Sequence, residues 1–206
     1  MPHIRALAAL AVTIICVGLS ACAGPSPAEI APLTAADAAS LKAKGKAIVV
    51  VSAAVQIEAL WNSTGQLEMM FSKRTPDRKL DFGNILVVDK HPEPGKPQIS
   101  EIAAGDYDMQ SFSYGAHNMK YSNSAGLLGV PLGSFSVAAG EVVYLGHVVV
   151  AQEKSIVVQS KPRFDLRVVD HRSAAEPALR ARAPGLETQL QNRLMTVSPL
   201  LSLAKP

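Results

Sequence analysis

Cysteine is nearly absent. The chain has two, Cys16 and Cys22, so nothing after residue 22 can form a disulfide or a thiolate-ligated metal site. Long apolar runs are absent too. The longest, 6–18, has thirteen residues, against the roughly 20 that a membrane-spanning helix needs. No polybasic block occurs, which argues against nucleic-acid binding. There is no glycine-rich phosphate loop and no internal repeat. A Gly-x-Ser-x-Gly elbow is also missing: the nearest string, Gly133-Ser134-Phe135-Ser136-Val137, ends in valine where the second glycine belongs.

What is present begins at the N-terminus. His3 and Arg5 precede the apolar run, and Leu19-Ser20-Ala21-Cys22 follows it. A weakly positive start, a short apolar centre and small residues at the exit make the secretory pattern. The tetrapeptide resembles the lipobox of bacterial lipoproteins. That resemblance implies cleavage between Ala21 and Cys22 and a diacylglyceryl thioether on Cys22. It makes Cys22 the lipidation residue and the membrane a partner through that anchor. Residue 23 is Ala rather than Asp, which under the familiar Gram-negative sorting rule points to the outer membrane, facing the periplasm.

Four segments are expected: a leader at 1–21, a lipidated N-terminus and flexible tether at 22–46, a β domain at 47–170 and a C-terminal helical extension at 171–206. Without Arg5 the mature chain has 19 basic and 17 acidic residues, close to neutral. Gly24-Pro25-Ser26-Pro27 breaks regular structure, and Thr34-Ala35-Ala36-Asp37 can cap a brief helix ending at Gly45. From Lys46 the texture turns β-branched. Strands are expected from Ala47, and at 66–72, 85–89, 107–114, 133–137, 141–151, 155–160 and 164–169, with turn residues between many of them. This spacing predicts a mainly β, antiparallel sandwich or barrel. In the strand at 141–151, Val142, Tyr144, Val148 and Val150 are expected on one face, with Val143, Leu145 and Val149 on the other. Being apolar on both faces, it reads as a central strand covered on both sides. Ser173-Ala174-Ala175-Glu176 reads as a capping box with Pro177 in the first turn, in a helix stopping before Pro184. Leu186, Leu190, Leu194 and Val197 suggest a second helix at 186–195, packed on the outer face of that strand. The apolar tail Pro199-Leu200-Leu201-Ser202-Leu203 follows.

Two further stretches belong together: Ile102-Ala103-Ala104-Gly105-Asp106-Tyr107 and Phe135-Ser136-Val137-Ala138-Ala139-Gly140-Glu141-Val142-Val143-Tyr144-Leu145-Gly146. They resemble a group of uncharacterised bacterial lipoproteins with transthyretin-like (prealbumin-like) β-sandwich domains. The likeness covers roughly residues 47–169 and implies a transthyretin-like sandwich. It carries no catalytic residues. Gly105 and Gly140 suit tight turns, and Tyr107 and Tyr144 suit half-buried strand positions with a polar tip.

Residues able to do chemistry are scattered. His91, His117, His147 and His171 are widely separated. His117-Asn118-Met119, with Met109, Met69 and Met70, is the one set of soft donors suited to copper; methionine as core filler is the preferred reading. His147, between Leu145 and Val149, reads as a histidine satisfied by one hydrogen bond rather than as a general base. Asp106, Asp108 and Glu141 form no evident pair for glycoside hydrolysis. Arg172, Arg180, Arg182 and Arg193 read as a solvated face, with lipid phosphates or an acidic partner as the alternative. The expectation is no catalytic residue, no cofactor and no metal. The chain reads as a lipid-anchored structural or interaction module with an envelope protein partner and no identified small-molecule ligand. Two alternatives stand beside it: a component of an envelope secretion or transport machine, and an enzyme acting on an envelope polymer.

Overall fold

The computed structural model describes residues 35–57, 66–77, 79–89, 95–116, 119–124, 130–152 and 164–198. Ala21, Cys22, His91, His117, Asn118, the expected strand at 155–160 and the tail from Pro199 lie outside the described residues.

The described residues are mainly β. Helix α1 (Ala35–Ala43) is followed by β1 (Lys46–Ile57), β2 (Gln66–Arg74), β3 (Leu80–Asp89), β4 (Gln98–Ala103), β5 (Gly105–Ala116), β6 (Met119–Ser124), β7 (Gly133–Val137), β8 (Val142–Gln152) and β9 (Phe164–Val169). Helix α2 (Arg172–Arg182), a 3-10 turn (Glu187–Gln189), β10 (Leu190–Asn192) and β11 (Thr196–Val197) complete them. Two sheets form. The first runs β10-β8-β1-β4, with β9 beside the second half of β8; the second runs β11-β7-β5-β2-β3, with β6 beside the second half of β5. Most pairs are antiparallel, as expected, but β8 is parallel to both β1 and β10. The pair at the centre of the first sheet is therefore one of the two exceptions. A parallel pair demands cover on both faces, which explains its two-faced apolar strands.

Alternation along β1 divides its side chains between two cores. Ala47, Val49, Val51 and Ala53 join Met69, Phe71, Val88, Met109 and Phe112 of the second sheet in the inner core. Ile48 and Val50 face outward and are covered by Ala175, Leu179, Ala183 and Leu186. Each of the larger apolar side chains removed from water, Val, Ile, Leu, Met or Phe, contributes about 1.5–3 kcal/mol. Leu41 of α1 joins this outer cluster, so the end of the segment expected as tether packs on the folded unit.

In β8 the expected faces are only half right. Val143, Leu145, Val148 and Val150 share the inner core, while Val142 and Tyr144 face outward. The swap comes from a bulge. Val50 pairs with Tyr144 and Val51 with Gly146, so Leu145 is the extra residue. Gly146 has φ +106°, a conformation that side chains other than glycine resist, and the alternation changes phase there.

The C-terminus also departs from expectation. No capping box forms at Ser173: α2 begins at Arg172, whose N–H donates to Asp170 Oδ1 and whose Nε donates to Glu176. Pro177 sits inside the helix rather than in its first turn, and α2 stops at Arg182, before Pro184 as expected. The expected second helix is absent. Pro184 and Gly185 break the chain, Gly185 taking φ +87°. From Leu190 the backbone is extended on β8, and Arg193 N–H and Met195 N–H donate to Tyr144 O and Leu145 O. The chain then crosses to pair with β7 of the second sheet, and Ser198 N–H donates to Leu132 O. Leu186 and Leu190 are buried as a helix stripe would require, but Leu194 is exposed. The i, i+4 spacing was met by a turn followed by a strand.

Candidate functional site

The two stretches that carry the family resemblance meet at one end of the sandwich. Gly45 O accepts from Ala104 N–H, and Lys46 O accepts from Gly140 N–H, so the turns before β1, β5 and β8 lie together. Tyr107 Oη donates to Ala103 O at 2.9 Å, bracing the chain where it passes from the first sheet to the second. Its ring stacks on Phe135 with centroids 5.1 Å apart, and Phe135 meets Phe71 edge-on at 5.5 Å. Burial, and secondarily the Asp81 charge, push the Tyr107 phenol up to about 12. Glu141 accepts from Ala138 N–H and holds Arg193 in a two-pronged pair, at 2.9 Å for each contact. Its hydrogen bond to Arg193 is the main reason its carboxyl lies below the usual range. These residues do architectural work.

A different group concentrates buried ionisable chemistry. Ser52 of β1 and His147 of β8 are register partners, and Ser52 Oγ shares a 2.9 Å hydrogen bond with His147 Nδ1. Ser52 is 1% and His147 5% exposed. The His171 ring lies edge-on to that of His147, with centroids 5.5 Å apart. His171 N–H donates to Tyr144 Oη at 3.0 Å, and Asp170 accepts from Asn192 Nδ2 and Arg172 N–H. Strands β8, β9 and β10 and helix α2 are thus knotted around residues 170–172. Burial, and next the His171 charge, hold the His147 pKa below its ordinary value. For Tyr144, burial raises the phenol pKa, while the His171 N–H opposes and the Asp170 charge adds to the rise.

A hydroxyl hydrogen-bonded to an imidazole is the pairing used in nucleophilic catalysis. Here Ser52 lies within the ladder of a central strand and almost out of contact with solvent. The geometry suits a structural bond.

The other sequence candidates separate. Met69 and Met109 are fully buried in the inner core, while Met119 pairs at the far end of β5, opposite Ala116. Asp108 pairs with Arg74, Asp106 with Ser136 Oγ and Glu141 with Arg193, three separate partnerships. Arg172, Arg180 and Arg193 form ion pairs with Glu176, Glu187 and Glu141 rather than a free basic face. Among the described residues, no group of three or more His, Cys, Asp or Glu is placed to hold a metal ion. None of their helices is long and apolar enough to cross a membrane. The sequence signal for the Ser52–His147 pair is a lone polar residue in each of two apolar strands. Their meeting depends on a parallel register across 95 residues. Comparison with protein-family models and with curated proteins finds no match to this chain.

Proposed function

We propose that the chain is a lipid-anchored envelope protein whose β domain acts as a non-catalytic structural or interaction module, held by Cys22 at the outer membrane and facing the periplasm. The observation that carries this reading is Leu19-Ser20-Ala21-Cys22 after a short apolar run. Supporting it, the most characteristic residues of the domain, Tyr107, Phe135, Gly140 and Glu141, are spent on bracing turns and joining the sheets. We propose the finer assignment, a transthyretin-like sandwich, from the same two stretches. The parallel pairing of β1 with β8 is the feature that assignment has to accommodate.

The test is metabolic labelling with palmitate in a bacterial host. The native chain is expected to take up label and fractionate with the outer membrane. Cys22→Ala is expected to lose both, since two or three acyl chains anchor far more firmly than one, each buried CH₂ adding about 0.8 kcal/mol. Label retained by Cys22→Ala overturns the reading.

A further inference from the structure

We propose that His147 and His171 form an acid-sensitive latch that holds α2 on the first sheet and releases the helix when the buried His147 takes up a proton. The latch stands where the start of α2 is tied to the sheet by a polar group. His171 immediately precedes α2, its N–H is held by Tyr144 Oη, and its ring rests on that of His147. Below lies an apolar face, Ile48, Val50, Ile99, Val142 and Tyr144, closed over by Ala175 and Leu179 of α2.

Protonation turns each imidazole into a double donor. Ser52 Oγ can accept one N–H of a charged His147. Among the described residues no carboxylate pairs with His147, which is 5% exposed. A charged His171 is met by Asp170, but the same charge acts against its neighbour 5.5 Å away. The other charged groups on the surrounding elements do not answer this need. Arg172 and Glu176 at the start of α2 pair with each other, Arg167 on β9 bonds Gln56, and Glu101 on β4 is exposed opposite Ile48. Two cations with one buried between them are relieved by moving His171, and with it the first turn of α2, away from β8. Between the ordinary histidine value, about 6.5, and the lower value in the folded protein, the open form binds more protons. The latch is therefore shut above that window and opens as pH falls through it.

Hydrogen–deuterium exchange of the full chain, read as protection factors at about pH 7.5 and about pH 5, tests this. These values bracket the ordinary histidine pKa. Amides of α2 are expected to lose protection several-fold at the lower pH, while β2 and β5 keep theirs. His147→Gln retains a partner for Ser52 but cannot charge; His171→Gln removes the second cation and sits at the exposed end of the pair. Either variant is expected to keep α2 protected at both pH values, and His171→Gln serves alone if His147→Gln does not fold. The proposal is overturned if native α2 is equally protected at both values. It is also overturned if β2 and β5 open together with α2, or if the loss persists in every folded glutamine variant.

Discussion

The two sheets bury the same inner core but differ in what lies outside them. The first is apolar on its outer face as well: Ile48, Val50, Val142 and Tyr144 sit beneath α2, and Leu186 and Leu190 pack beside them. The second shows water Glu68 together with Ile85 and Val87, which are 40% and 44% exposed. Its edge strand β3 is covered by one side chain from the first sheet. Gln98 accepts from Asp89 N–H and donates to Val87 O, standing in for a missing rung. The difference follows from strand direction. A parallel central pair has to be roofed, whereas an antiparallel sheet can leave one face to solvent.

The sharpest way to break that comparison is to place a carboxylate in each sheet. Val143→Asp puts a charge in the inner core at a fully buried position of β8. It is expected to cost more than about 4 kcal/mol, enough to unfold the domain. Val87→Asp, on the exposed face of β3, is expected to stay within about 0.5 kcal/mol. Urea denaturation followed by circular dichroism measures both. Comparable losses would mean that the second sheet is covered as the first is.

What was legible from sequence does not divide along this line, since both sheets hold strands that could be read and strands that could not. The apolar runs of β1 and β8 announced themselves, because β-branched residues between breakers have few alternatives to strands, and β9 showed by its alternation of apolar and charged residues. Strands β4 and β6 were not foreseen. Gln98–Ala103 mixes Ser and Glu with two isoleucines, and Met119–Ser124 is largely polar, so only their neighbours in the sheet make them strands. Strands β10 and β11 were hidden by a spacing that imitates a helix. The turn glycines Gly105 and Gly140 could be read locally, since their φ values of +147° and +85° are a local need. The Ser52–His147–His171 group could not. It arises from a parallel register, a bulge at Leu145 and the return of the chain after β9, none of which leaves a local mark.

That bulge supplies the next prediction. Gly146 combines φ +106° with a Cα hydrogen aimed at Val168, so an added Cβ would run into Val168 Cγ1. Gly146→Val is expected to cost about 2–4 kcal/mol, part from the backbone conformation and part from overpacking. Gly45 has a comparable positive φ, +65°, but nothing within 4 Å of its missing Cβ. Gly45→Ala should therefore cost only the conformational part, about 1–2 kcal/mol. Thermal melts of the two variants separate crowding inside the roofed sheet from plain backbone strain, and equal losses would remove the bulge from its proposed role.

The smallest effects belong to two tyrosine hydroxyls. Tyr144 Oη accepts from His171 N–H and ties α2 to the first sheet, whereas Tyr107 Oη donates to Ala103 O where the chain changes sheets. Tyr→Phe at either position leaves the ring packing and removes one hydrogen bond, for an expected loss of about 1 kcal/mol. Tyr107 offers a further test at high pH. The Tyr107 phenol titrates near 12 in the folded protein against an ordinary value of 10, because its anion would be buried and near Asp81. A folded pKa above the unfolded one gives stability that is complete below the unfolded value and lost as pH rises through the folded one. The native protein should thus weaken between about pH 10 and about pH 12, and Tyr107→Phe should weaken less over that interval, although it starts less stable. Urea midpoints measured across the interval decide it. Parallel slopes for native protein and Tyr107→Phe would show that this phenol is not held in its neutral form by the corner between the sheets.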